Sequence, residues 1–222
     1  MHISNMYNNA TSVAFYDTLG PAAAKFICMQ TELTTIACTA DQVEKILKLK
    51  EDDPEGKMEK VTNIIIYEPT INQDLLKLAD TVGVSLTTIE ECIEVGKQNF
   101  AAWSPAEIVT DDTCMFSYTS GTTGDPKGVK LSHKMLVQCA ASVNARLEAT
   151  NDKLSPLDTY ISYLPAAHSF EQALLGIVFC FGMKCGFFGG DPLKLLAEDL
   201  PLLKPTFFPS VPRVYNKIYG TL

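Results

Sequence analysis

The chain has 222 residues, 46% hydrophobic and 20% charged, a globular composition with room for one large domain or two small ones. Its formal net charge of −8 leaves no basic face to neutralise phosphates, so no nucleic-acid partner is expected. Seven cysteines without a CxxC pair, several in apolar surroundings, point to a reducing compartment and exclude a disulfide framework, and none of the three histidines lies near a cysteine pair that would bind zinc.

The N-terminal stretch MHISNMYNNATSVAFYDTLG lacks the basic start and continuous apolar core of a signal peptide. SVAFYDTL (12–19) predicts a strand, and GPAAAKFICMQT a helix with Pro21 near its start. TTIACT (34–39) predicts a strand and DQVEKILKLK (41–50) a helix with Asp41 as N-cap. EDDPEGKMEK (51–60) is a charged loop, and NIIIYEP (63–69) is a β-branched run suited to a fully buried strand. QDLLKLADTVG continues as a helix ending near Gly83, VSLTTI as a strand and EECIEVGKQNF as a helix.

TCMFSYT (113–119) predicts a strand that runs into a glycine-rich stretch, and SHKMLVQCAASVNARLEA (132–149) a helix with Ser132 as N-cap. The longest apolar run, ALLGIVFCFGM (173–183), falls short of the roughly 20 residues a spanning helix needs, so a buried helix and no transmembrane segment are expected. Repeated strand–helix–strand predicts an α/β fold, a largely parallel sheet with flanking helices, in one body. The glycine-rich stretch then reads as a strand-to-helix connection, where such folds place ligands.

That stretch is YTSGTTGDPKGVK, residues 118–130. Gly121, Gly124 and Gly128 allow positive φ and close approach of a ligand. Successive backbone N–H groups in such a loop form an anion-binding concavity. Thr119, Ser120, Thr122 and Thr123 add hydroxyls, Lys127 adds a positive charge and Pro126 stiffens the turn, which together suit a polyphosphate. It is not a Walker A loop, because Pro126 stands where that pattern needs its second glycine, and it is not GxGxxG. The bland alternative is a surface turn.

The order of residues closely resembles the phosphate-binding loop of the adenylate-forming (AMP-binding) superfamily, which includes acyl-CoA synthetases, firefly-type luciferases and peptide-synthetase adenylation domains. Their pattern is Tyr or Phe, Ser or Thr, then SGTTGxPKG, and YTSGTTGDPKG meets every fixed position. Three further segments resemble eukaryotic-type long-chain fatty acyl-CoA synthetases: YDTLGPAAAKFICMQTE (16–32), SYLPAAHSFE (162–171) and KPTFFPSVPRVYNKIY (204–219). They run in the family's order over nearly the whole chain.

The resemblance implies part of the large N-terminal domain of an acyl-CoA synthetase-like fold, residues 1–222 being a partial AMP-binding domain. It implies a two-step ligase acting on a long-chain fatty acid, with ATP, Mg2+ and coenzyme A. Carried over by position, Thr119 is the hydroxyl near Mg2+. Ser120, Gly121, Thr122, Thr123 and Gly124, with Lys127, cradle the phosphates, and His168 lies against the acyl-adenylate. Asp125 occupies the variable position and should face solvent, away from the phosphates.

Without its motif, His168 reads as a satisfied, partly buried histidine. Glu171, three residues on, reads as a capping or helix-surface residue, with a metal pair to His168 as the sharper alternative. Arg213 has two readings, ligand contact or stem packing near Tyr215. Phe187, Phe188, Phe207 and Phe208 read as core, with an acyl tunnel as the alternative.

The sequence departs from the family in several places. Ala166 replaces the usual leucine, and YGxTE, the later ribose-binding aspartate and the C-terminal lid domain with its lysine are absent. The expectation is a central fragment, inactive alone. The alternatives are a non-catalytic nucleotide-binding remnant and a ligase for another acid, such as a medium-chain one. Relatives of this type are commonly membrane-associated through a part upstream of these segments. The expected location is therefore intracellular: cytoplasmic, or peripheral at the endoplasmic reticulum, mitochondrial outer membrane or peroxisome.

Overall fold

The computed structural model describes residues 1–16, 19–119, 125–191 and 194–220. In chain order these form α1 (His2–Tyr7), β1 (Ser12–Ala14), α2 (Pro21–Thr31), β2 (Thr35–Cys38), α3 (Ala40–Glu51), β3 (Asn63–Ile66), α4 (Gln73–Thr81), β4 (Ser85–Thr88) and α5 (Ile89–Asn99). There follow β5 (Thr113–Thr119), β6 (Lys127–Ser132), α6 (His133–Glu148), β7 (Thr159–Ser162), α7 (Ser169–Phe181), β8 (Lys184–Phe187), α8 (Leu200–Leu203) and α9 (Pro212–Tyr219). The chain gathers into two compact units, one of Phe15–Ala106 with Tyr118–Gly128, the other of Met1–Ala14, Glu107–Ser117 and Val129–Leu222.

In the first unit β2, β3 and β4 form a parallel sheet in chain order, with Thr35, Asn63 and Ser85 in register. Parallel neighbours need long crossovers, and α3 and α4 supply them. The central NIII run puts Ile64 and Ile66 wholly out of solvent. Val43 and Leu47, four apart and so on one face of α3, pack on them with Ala79 and Val84. Burying side chains of this size contributes about 1.5–3 kcal/mol each.

Local signals decide where the helices begin. Pro21 is the first residue of α2, as its fixed φ favours. Asn72 caps α4 by accepting the Asp74 N–H at 2.9 Å, and Thr88 with Glu91 makes a capping box on α5. The N-cap of α3 is Thr39, not the expected Asp41. The reason is tertiary: Glu68, just after β3, accepts the Ala40 N–H at 2.8 Å. Asp41 stays in the first turn, where a carboxylate still complements the helix dipole.

In the second unit β7 and β8 pair in parallel, Thr159 opposite Lys184, with α7 as their crossover. Helices α6 and α7 cover this pair through Ala140, Leu174, Ile177 and Val178, with Tyr160 and Met183 beneath them. The apolar run of 173–183 thus lies in α7, and Gly182 ends the helix in the left-handed conformation at φ 62°. A second cluster joins Ile161, Tyr163 and Leu195 to Phe188, Phe208 and Val214.

β5 lies between β1 and β6. β1 covers Ser12–Ala14 alone of the expected 12–19, in parallel register with Met115–Ser117. Beyond it Phe15 turns to pack on the Cys28, Met58 and Val61 cluster. The glycine-rich stretch is not a strand-to-helix connection. It leads from β5 into β6, and α6 begins only after β6, with Ser132 accepting the Met135 N–H at 3.3 Å as its N-cap.

Candidate nucleotide and acyl site

Thr119 closes β5 and Lys127 opens β6, so the two strands hold the ends of the glycine-rich stretch. Both side chains are exposed, and the Thr119 hydroxyl faces the Lys127 carbonyl at 3.5 Å. The expected cradle residues Ser120, Gly121, Thr122, Thr123 and Gly124 lie outside the described residues. Asp125 is exposed.

The base of the stretch is fastened by Tyr118. Its ring is 5% exposed and its hydroxyl donates to Gln30 Oε1 of α2 at 2.6 Å. It lies over Gly128, where an added Cβ would come within 2.9 Å of Tyr118 Cζ. Burial pushes the Tyr118 phenol upward from its ordinary range, with the nearby Cys28 thiol as a smaller cause.

His168 belongs to the second unit, at the N-terminus of α7. It is exposed, where the motif-free reading has it partly buried, and its Nδ1 accepts the Phe170 N–H at 3.1 Å. A ring nitrogen that accepts carries no proton, so the neutral imidazole holds its proton on Nε2, a donor able to face an acyl or phosphoryl oxygen. The loop before it is wound on itself: the His168 N–H donates to the Pro165 carbonyl at 2.8 Å, and the Gln172 side-chain amide donates to the Ala166 carbonyl.

Glu171 overturns its helix-surface reading. It is 0% exposed, and its two oxygens accept from the Tyr160 hydroxyl at 2.7 Å and the Ser162 hydroxyl at 2.6 Å. Burial first, and then this carboxylate, push the Tyr160 phenol far above the ordinary tyrosine range. The same two causes raise Cys185. The strand pattern carries half of this arrangement, since Tyr160 and Ser162 stand two apart and so share one face of β7.

Phe188, Phe207 and Phe208 pack in the two cores, whereas Phe187 is 79% exposed and leaves the core reading. Phe208 stacks on Tyr163 with ring centroids 5.6 Å apart, and Arg213 is exposed on α9. Among the described residues no group of three or more His, Cys, Asp or Glu is placed to hold a metal. For Mg2+ the described residues therefore fit in one respect only, the hard hydroxyl oxygen of Thr119. Among the described residues no helix is long and apolar enough to cross a membrane. The seven cysteines are free thiols.

Residues 5–221 match the AMP-binding enzyme family. The chain belongs to that family. Among its relatives is a long-chain-fatty-acid–CoA ligase 5 of Mus musculus, 38% identical over 208 residues, which are 94% of this chain and 29% of the relative. Another, a peroxisomal long chain acyl-CoA synthetase 6 of Arabidopsis thaliana, is 38% identical over 209 residues, 94% of this chain and 28% of the relative. The chain thus spans less than a third of the length of these curated relatives. The fold is similar to the adenylation domain of a carboxylate reductase from Mycobacterium chelonae, with a TM-score of 0.77 at 20% identity over 99% of this chain and 34% of that one. The architecture is the acyl-CoA synthetase-like α/β fold of adenylation domains, with parallel sheets and flanking helices.

Proposed function

We propose that this chain is part of the N-terminal domain of an ATP-dependent ligase that converts a long-chain fatty acid to its acyl-adenylate and then to its coenzyme A thioester. The observation that carries this reading is 38% identity to a long-chain-fatty-acid–CoA ligase over 94% of the chain. The loop sequence YTSGTTGDPKG and the segment SYLPAAHSFE agree with it.

A carboxylate is a poor electrophile, so it must first be activated. Its oxygen attacks the α-phosphorus of ATP, and the bond to the β-phosphate breaks as pyrophosphate leaves. The sulfur of coenzyme A then attacks the activated carbonyl carbon, the carbonyl carbon–oxygen bond to AMP breaks, and the thiol proton is released. Chemistry of this kind asks the protein mainly to position groups and neutralise charge. Magnesium, carried with ATP, would be held by the Thr119 hydroxyl and would offset phosphate charge. In this reading Ser120 to Gly124 offer backbone N–H groups to the β- and γ-phosphates, and the Lys127 ammonium neutralises them. The Nε2–H of His168 donates toward the acyl-adenylate.

The test is fatty-acid-dependent ATP–pyrophosphate exchange, measured on these 222 residues and on a chain of the relatives' full length, each as wild type and as Lys127→Ala. The expected result is exchange in the longer protein that needs a long-chain acid and falls about 100-fold on the substitution, the scale of losing one well-placed electrostatic contact. ATP binding without exchange in either protein would overturn the ligase reading and leave a nucleotide-binding module.

A further inference from the structure

We infer that Glu171 is a positioning residue for His168. By holding two residues of β7 with one buried carboxylate, it fixes the 163–168 loop that carries the imidazole. The inference rests on the proposed role of His168 toward the acyl-adenylate.

The argument starts from where a glutamate in this helix would ordinarily point. Glu171 is the third residue of α7, a position whose side chain commonly reaches back to the free N–H of the N-cap. Here His168 caps the helix through Nδ1, and Glu171 turns inward to 0% exposure. Removing a carboxylate from water is among the heaviest penalties a core can carry. Among the described residues Glu171 makes no ion pair, and two neutral hydroxyls and the helix N-terminus are what hold it. Apolar replacements of buried charged groups are often neutral or stabilising, so burial alone does not account for a carboxylate here.

It supplies a fixed distance. Oε2 takes the Tyr160 hydroxyl and Oε1 the Ser162 hydroxyl, so the last strand residue and the first turn of α7 are tied through one side chain. The loop 163–168 runs between those two points, and the His168-to-Pro165 and Gln172-to-Ala166 bonds wind it further. A pinned loop leaves the cap bond, and with it the imidazole, one place to be. Glu171 itself has no exposed surface with which to touch a substrate.

Glu171→Gln and Ser162→Ala, made in the protein alongside the wild type, test this. Circular dichroism and urea unfolding establish that each is folded. Nitrogen NMR of the histidine rings then reads the His168 tautomer, and the exchange assay reads kcat and KM. We expect the His168 Nδ1 signal to move from that of a hydrogen-bonded acceptor toward a tautomeric average. We also expect kcat to fall about tenfold with KM for ATP unchanged, as a displaced group rather than a lost binding contact would give. Ser162→Ala removes a single hydroxyl and carries the test alone if Glu171→Gln does not fold. Folded variants with the wild-type His168 spectrum would overturn the inference even if exchange falls. A wild type without exchange would instead overturn the proposed function, and the ring spectrum would still decide this point.

Discussion

At the scale of single residues, Gly128 shows how a motif position can have a cause other than its ligand. The sequence reading assigns it backbone freedom and close approach to a phosphate. In the structure a Cβ there would stand 2.9 Å from Tyr118 Cζ and 3.0 Å from Cε1. The ring cannot readily give way, because it is 5% exposed and its hydroxyl is held by Gln30 at 2.6 Å. Gly128→Ala should therefore cost about 1–3 kcal/mol, the range for overpacking a tight site. Tyr118→Leu removes the obstructing atoms, so the double variant should be more stable than the sum of the single costs allows. Urea unfolding of the four proteins checks it, and additive costs would show that the ring is not the obstacle. Glu171 was illegible for a related reason. The hydroxyl pair Tyr160 and Ser162 is plain in the sequence, but that their partner lies inside FEQALLG is a fact of packing that no spacing records.

At the scale of elements, the strands with their own apolar content were legible. NIII and TCMFSYT became β3 and β5 within the expected bounds, and Ser132 caps α6. KGVKLS was not, since two lysines and a glycine give no strand pattern, and β5 beside it makes it a strand. The start of β7 carries a pH-dependent tie of the same tertiary kind. Asp158 accepts from the Thr206 hydroxyl at 2.8 Å and from the Ser155 N–H and hydroxyl at 2.8 and 3.0 Å. The Thr206 bond first, and then those from Ser155, hold its carboxyl below the ordinary value of 3.8. Since the folded state favours the ionised form, the contribution is fully present above 3.8 and is lost as pH falls through the lower folded value. Between about pH 5 and pH 2, wild type should lose more stability than Asp158→Asn does, read as the urea midpoint at each pH. Parallel pH profiles would show that this carboxylate does not link folding to protons.

At the scale of the whole molecule, periodicity told which residues are buried but not which are buried together. The sequence has no low-complexity linker, and it reads as one body. The chain nevertheless crosses between its two compact units at 14/15, 106/107, 117/118 and 128/129, so that residues 118–128 belong with a unit otherwise made of 15–106. Each unit holds complete apolar clusters of its own, one built on Val43, Leu47, Ile64 and Ile66, another on Tyr160, Leu174, Ile177 and Val178. Truncating a buried isoleucine to alanine removes transfer energy and leaves a cavity, together about 2–5 kcal/mol. Cooperative openings follow such clusters, so the loss should be felt first by amides of the same cluster. Native-state hydrogen exchange should find that Ile64→Ala lowers protection across β2, β3 and β4 before β7 and α7, and that Ile177→Ala does the reverse. Equal loss across both units from either substitution would mean that the chain opens as one cooperative body, with the four crossings coupling the two clusters more strongly than each coheres by itself.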